Sequence, residues 1–356
     1  MAKNRIKNNH GISSKLSTPI MLSVILVLVG YFIWWLNIPF VQDIYTSAAI
    51  TLVMVLGFQI FNGNSGILSW SYVGFVGIGA FSSAIFSMTP QMKSMQMPEM
   101  YPFLVNIHVP FVVALILGAI VAAIIAAVVA WPMMKISDDA GAITQFALLI
   151  VIHVILAQWS KVTNGPRTFT LGGQTLTTIW VAMISGVVVL FIAYFFKESS
   201  LGLKLRATRD DRYAACSSGI DMVKTRYLSY IFSAAIGGFA GGLYSHYILS
   251  INASAFYMTL LFNLLSMAVI GGKMSVSGAF FGTILLTLAR QGLRQIEPVL
   301  TNMGVNASGS TEIIVAVLMI VFLVFRANGI MDRYELSPSS LKSLFSRKKK
   351  AEKKSA

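Results

Sequence analysis

The residue types that could do chemistry in this 356-residue chain are few and scattered. The four histidines, His10, His108, His153 and His246, do not fall at metal-ligand spacing. The one cysteine, Cys216, excludes an internal disulfide and argues against a thiolate metal cluster. Gly271-Gly272-Lys273 resembles part of a phosphate loop. However, Met267 stands near the place of the earlier glycine, and Met274 replaces the required Ser or Thr. The triplet therefore reads as a tight turn, and no nucleotide site is visible in the chain.

Polar residues inside apolar runs are more telling, because each costs free energy in hydrocarbon unless it faces protein or water. Gln59, Asn62, Asn64, Ser65, Ser69 and Ser71 cluster where one run ends and the next begins, and Gly74, Gly77 and Gly79 follow. Two readings compete for Asn62, Asn64, Ser69, Ser71, Gly74 and Gly77. They line a pathway, or they pack helices with internally satisfied hydroxyls. Thr144, Gln145, His153 and Asn263 each read as an interhelical hydrogen bond. Gly237, Gly238, Gly241 and Gly242 form a small-residue packing face.

These residues need helices to hold them, and the composition supplies them. Hydrophobic residues make up 56% of the chain, charged residues 11%, and the mean hydropathy is +0.74. A soluble domain carries about a quarter charged residues, so the chain is expected to be an all-α polytopic membrane protein. Ten candidate spans follow: about 19–37, 44–61, 66–88, 110–131, 140–157, 178–196, 227–249, 258–271, 275–291 and 311–326. The stretch 258–291 could instead form two half-helices or a re-entrant pair. The domains are then an N-tail (1–18), a transmembrane domain (19–326) and a basic tail (327–356). With both termini cytoplasmic, 22 of the 27 basic residues fall inside, which fits the positive-inside rule. The net charge of +14 is thus topological and lipid-facing rather than a nucleic-acid footprint. The tail after Arg326 is expected to be disordered. A faint internal repeat links Ser69–Gly77 to Ser275–Gly282.

The longest charged segment between spans is 197–226, with Lys197, Lys204, Arg206, Arg209, Arg212, Lys224 and Arg226. A short helix is expected within it. Thr208 would cap it, Asp210 and Asp211 would face its positive end, and Gly219 would stop it after about 15 Å. Its middle, Ala214 to Ser218, is slim enough to dock in a partner's groove.

The string SLGLKLRATRDDRYAACSSGIDMVKTRYLSYIFSAAIGGFAGG (200–242) resembles the cytoplasmic signature of the branched-chain amino acid ABC transporter permeases. The matching positions are Arg209, Asp210, Asp211, Ala214, Ala215, Gly219, Ile220, Lys224, Ser233, Ala234, Gly238, Ala240 and Gly241. GILSWSYVGFVGIGAFSSAIF (66–86) and LLSMAVIGGKMSVSGAFFGTIL (264–285) are similar to two further family strings. Departures occur at Tyr72, at Thr163-Asn164-Gly165 and in the acid-free QFALLIVIHVIL, and these bear on substrate rather than architecture.

The resemblance implies a non-catalytic permease subunit of the bacterial inner membrane. It implies a second permease subunit, identical or homologous, two cytoplasmic ATPase subunits that hold ATP and magnesium, and an extracytoplasmic solute-binding protein. It also implies an ATPase-coupling role for Arg209, Asp210, Asp211, Ala214, Ala215, Gly219 and Ile220. The expected substrate is a branched-chain or other small apolar amino acid. A related permease for a sugar, nucleoside or urea is the nearer alternative. An ion-coupled secondary transporter is disfavoured because the span interiors lack Asp and Glu.

Overall fold

A computed structural model describes residues 12–136, 138–173, 175–302, 309–325, 329–331 and 335–336. Most of the N-tail and most of the basic tail, for which cytoplasmic anchoring was expected, lie outside the described residues. The first six helices in chain order are α1 (Ile12–Leu36), α2 (Pro39–Ser65), α3 (Tyr72–Ser87), α4 (Pro90–Gln96), α5 (Pro102–Val105) and α6 (Phe111–Met133). Next come α7 (Asp138–Gln158), α8 (Ser160–Thr163), α9 (Ile179–Glu198), α10 (Ser200–Asp210) and α11 (Arg212–Ser217). The last four are α12 (Met222–Ile248), α13 (Met258–Gly271), α14 (Val276–Asn302) and α15 (Ser310–Phe325). Two short strands, β1 (Phe169–Thr170) and β2 (Ser250–Ile251), pair antiparallel.

Among the described residues seven helices are long and apolar enough to cross a membrane, fewer than the ten spans expected. They are Ser17–Leu36, Pro39–Ser65, Phe111–Met133, Ala140–Gln158, Ile179–Glu198, Ala253–Gly271 and Val276–Gln295. An eighth arises if α3 and α4, bent by 119° at the break between them, count as one span. The helix α12 has 27 residues but dilutes its apolar run with Lys224, Arg226 and several serines and glycines. The run in α15 is shorter, Thr311–Phe322. In the stretch expected as two spans or a re-entrant pair, Ala253–Gly271 and Val276–Gln295 are each long and apolar enough to span.

The buried centre is α2, from Ala49 to Ser65 almost without an exposed residue. Against it pack α12, α9 and α14, while α3 and α6 pack on α12. Small residues make this possible. A Cβ on Gly79 would overlap the Gly238 backbone, and one on Gly241 would overlap the Val76 carbonyl. The backbones of α3 and α12 therefore meet directly, as in other small-residue membrane interfaces. The hairpin of α13 and α14 repeats the device, with Gly271 against the Gly278 and Gly282 backbone. Hydroxyls complete the packing. Tyr72 Oη donates to the Met54 carbonyl at 2.8 Å, and Ser233 Oγ donates to the Gly57 carbonyl at 2.7 Å.

At the end of the bundle that carries β1 and β2, a small cap forms from α4, α5 and the strand pair. Gln96 clasps the Thr170 backbone, its amide nitrogen 2.5 Å from the carbonyl and its oxygen 3.1 Å from the amide. Lys93 is fully buried, and its ammonium donates to the Leu104 carbonyl at 2.9 Å and to the Ile107 carbonyl. Burial lowers its pKa to about 8. A folded pKa below the unfolded one means that the charged form is disfavoured in the fold. Stability therefore rises as pH passes from about 8 toward the unfolded value of about 10.4. In thermal-shift measurements at pH 7 and pH 9.5, the wild-type protein should gain stability relative to Lys93→Met as pH rises. A constant difference would mean that the ammonium is not held out of water.

Candidate functional site

At the opposite end of the bundle the chain turns from α9 through α10 and α11 into α12. Ser199 caps α10, its hydroxyl accepting from the Gly202 amide at 3.2 Å. Leu205 and Thr208 are buried beneath α10. Thr208 lies inside this helix, with its hydroxyl bonded back to the Leu205 carbonyl, and does not cap the next one. The cap is Asp211. Its carboxylate accepts from the Tyr213 and Ala214 amides at 2.9 and 3.0 Å. The expected single helix is thus two, broken at Asp211, because this side chain captures amides that a continuous helix would leave to backbone carbonyls.

The short helix α11 ends at Gly219, which has φ +79°. The Gly219 amide donates to the Cys216 carbonyl at 3.0 Å, and the Ile220 amide donates to the Ala215 carbonyl at 3.2 Å. This crossed pair is a Schellman closure, and its left-handed residue is why glycine stands there. Asp221 then caps α12 by accepting from the Lys224 amide at 3.0 Å. That bond, helped by the Lys224 charge, holds the Asp221 carboxyl below the usual range.

The outer face of α11 is formed by Arg212, Tyr213, Ala214, Cys216 and Ser217. Tyr213 is 84% exposed, while Ala215 points inward at 5%. The two alanines, expected to share a docking face, therefore lie on different sides. Asp210 is exposed and pairs with Arg209 at 3.0 Å.

Arg209 itself turns inward. Its guanidinium donates to the Gly63 carbonyl at 2.9 Å, and its stem lies over Gly66, where a Cβ would stand 2.7 Å from Arg209 Cγ. Gly66 has φ +75° and closes α2. The guanidinium expected to offer donors to a partner thus anchors the elbow to the end of α2. Nearby, the Gln59 amide nitrogen lies 2.6 Å from the Ser275 carbonyl and 3.3–3.4 Å from those of Lys273 and Gly272. This ties the turn of the Gly-Gly-Lys triplet to the same helix end. Both residues were singled out from the residue pattern but not as anchors, since a long-range side chain–carbonyl bond leaves no local spacing.

The other residues proposed from sequence are all deep in the protein. Asn64 bonds to the Ile60 carbonyl at 2.9 Å, and Ser71 Oγ lies 2.5 Å from Tyr230 Oη. Ser69 is 1% exposed. Gly74 and Gly77 face Ile152 and the pair Leu156 and Phe256. The buried Asn62 amide nitrogen has no protein partner among the described residues.

Seven spanning-length apolar helices among the described residues make this a polytopic membrane protein. The chain belongs to the family described as the permease component of branched-chain amino acid transport systems, whose model matches residues 40–325. It is 22% identical over 324 residues to the high-affinity branched-chain amino acid transport system permease protein LivM of Escherichia coli, with 81% of this chain and 69% of that protein covered. The LivM protein of Salmonella typhimurium is 21% identical with the same coverage. A probable LivM of Methanocaldococcus jannaschii is 31% identical over 116 residues, 31% of this chain and 34% of that protein. No solved structure matches the chain. The protein is a membrane permease subunit of an ABC importer.

Arg209→Ala leaves the Gly63 carbonyl without its donor. It should lower stability by about 1–3 kcal/mol, as expected for a bond to a charged group. A melting temperature within error of wild type would remove the anchor role.

Proposed function

We propose that the protein forms part of the translocation pathway of an importer for branched-chain or other small apolar amino acids, and that α11 docks into a partner ATPase. The observation that carries the coupling reading is the exposed α11. It is capped at both ends and presents Tyr213 and Ala214 on its outer face. An exposed aromatic on a rigid short helix is the residue type that anchors protein interfaces. ATP and magnesium belong to two cytoplasmic ATPase subunits, and this subunit is non-catalytic. A second permease subunit, identical or homologous, and an extracytoplasmic solute-binding protein complete the assembly. The relatives named for branched-chain amino acid transport support the substrate class.

In this reading Asp211, Gly219 and Ile220 shape α11, and Arg209 and Asp210 hold it to the bundle. Ala214 meets the partner and Ala215 seats the helix from within. Asn62, Asn64, Ser69, Ser71, Gly74 and Gly77 form the pathway wall near the elbow. The unpartnered Asn62 amide, which would need water or a ligand, supports this. All ten expected segments carry a helix, which supports ten crossings in the transmembrane domain 19–326, with both termini and the 197–226 loop cytoplasmic. Ser69–Gly77 and Ser275–Gly282 both open a helix after a turn, in keeping with an internal repeat.

Two measurements test this. Cys216 is the only cysteine and is exposed on α11, so a membrane-impermeant maleimide should label it only in opened bacterial cells. Labelling in intact cells would invert the topology. In pull-downs, Tyr213→Ala and Ala214→Glu should insert normally yet lose the ATPase, at a cost of about 2 kcal/mol or more for the buried aromatic. Retained ATPase binding with retained amino-acid uptake in both variants would sink the docking role.

A further inference from the structure

The C-terminal chain returns to the bundle beyond its last helix. The Ile330 amide donates to the Ile270 carbonyl at 2.9 Å, and the Met331 amide to the Gly271 carbonyl at 3.0 Å. Gly329 lies against Gly272 with φ +78°, a close approach that a side chain would block. Glu335 then reaches the start of α14. Its carboxylate accepts from the Val276 amide at 2.8 Å, the Ser277 amide at 3.0 Å and the Ser277 hydroxyl at 2.6 Å. The same carboxylate pairs with Lys197 Nζ at 2.5 Å, with side-chain exposures of 18% and 9%.

Lys197 is the penultimate residue of α9, at the root of the elbow. Its ammonium also donates to the Met274 carbonyl at 2.8 Å, and its own carbonyl accepts from Arg206 Nη2 at 2.8 Å. One carboxylate from the tail therefore joins the root of the elbow to the N-terminus of α14. Its charge is favoured at both places, by the ammonium and by the helix dipole.

We propose that Glu335 is a positioning residue for coupling. It locks the α9–α10 junction to α14, so that displacement of the docked elbow moves the α13–α14 hairpin rather than bending the junction. This rests on the reading of α11 as the ATPase-docking helix. The expected basic tail is then a structural strap in its first part, at 329–331 and 335–336. A carboxylate with four donors is more than a surface ion pair, because removing it orphans two helix N-terminal amides and takes the counter-charge from a buried lysine.

The test uses the full importer, permease pair, ATPases and solute-binding protein, in proteoliposomes with leucine. The ratio of leucine transported to ATP hydrolysed is measured for wild type, Glu335→Gln, Lys197→Met and the double variant. Each single variant should bind the ATPases and keep basal hydrolysis, while the ratio falls by about tenfold. The double variant should be no worse than either single one, since both remove the same link. A ratio unchanged in both single variants would overturn the proposal, even if assembly yield fell. Failure of both to assemble would overturn it too, by assigning the pair to folding alone. The outcomes separate from the parent reading. If wild type shows no leucine-dependent stimulation, the importer reading fails. If Tyr213→Ala releases the ATPase while Glu335→Gln keeps the ratio, only this inference fails.

Discussion

The elbow end of this bundle is governed by one requirement: backbone carbonyls that close a helix near a membrane must find donors. Neither lipid nor a dry interior supplies them. The end of α2 and the turn after α13 are two such places. Arg209 serves the first through the Gly63 carbonyl, and Gln59 serves the second through Gly272, Lys273 and Ser275. Because each donor comes from a distant part of the chain, satisfying these groups also fixes tertiary structure. The elbow sits on α2, and the α13–α14 turn sits on α2, for the same electrostatic reason.

Small residues serve the same end in the apolar interior. With Gly79 on Gly238 and Gly271 on Gly278, backbone meets backbone, and packing is set by shape rather than by burial of apolar area. Such contacts tolerate sliding less than a leucine interface would, since any added Cβ overlaps main-chain atoms. The helices α3 and α12 therefore pack as a block, and so do α13 and α14.

What was legible in the sequence follows from range. Apolar runs marked the positions of the helices, and the Gly219 stop was readable, because length, hydropathy and a left-handed residue are local properties. The cap was misplaced from Asp211 to Thr208 because both residue types suit the role. Only the fold shows that Thr208 is already inside a helix capped by Ser199. The sides of Ala214 and Ala215 could not be separated either, since a six-residue helix has no periodicity to read. The roles of Arg209 and Glu335 were hidden for a further reason. Arg209 was read as facing a partner and Glu335 lay in a tail read as a polar anchor, and only the folded chain brings the guanidinium to Gly63 and the carboxylate to Lys197.

These anchors also constrain how the elbow could move. A helix held by one exposed salt bridge would swing freely, because such a pair contributes little. The junction here is held instead by Arg209 on a carbonyl, Arg206 on the Lys197 carbonyl and Lys197 on Glu335, with side chains largely out of water. Charge-assisted bonds of this kind are directional and stronger than neutral ones, so the least costly displacement keeps them intact and carries α2 and α14 along. The break at Asp211 lies on the outer side of these anchors. Beyond it α11 is exposed and is joined to the stiff junction through this one capped break. The division between a compliant tip and a stiff root follows from one aspartate that caps rather than continues a helix.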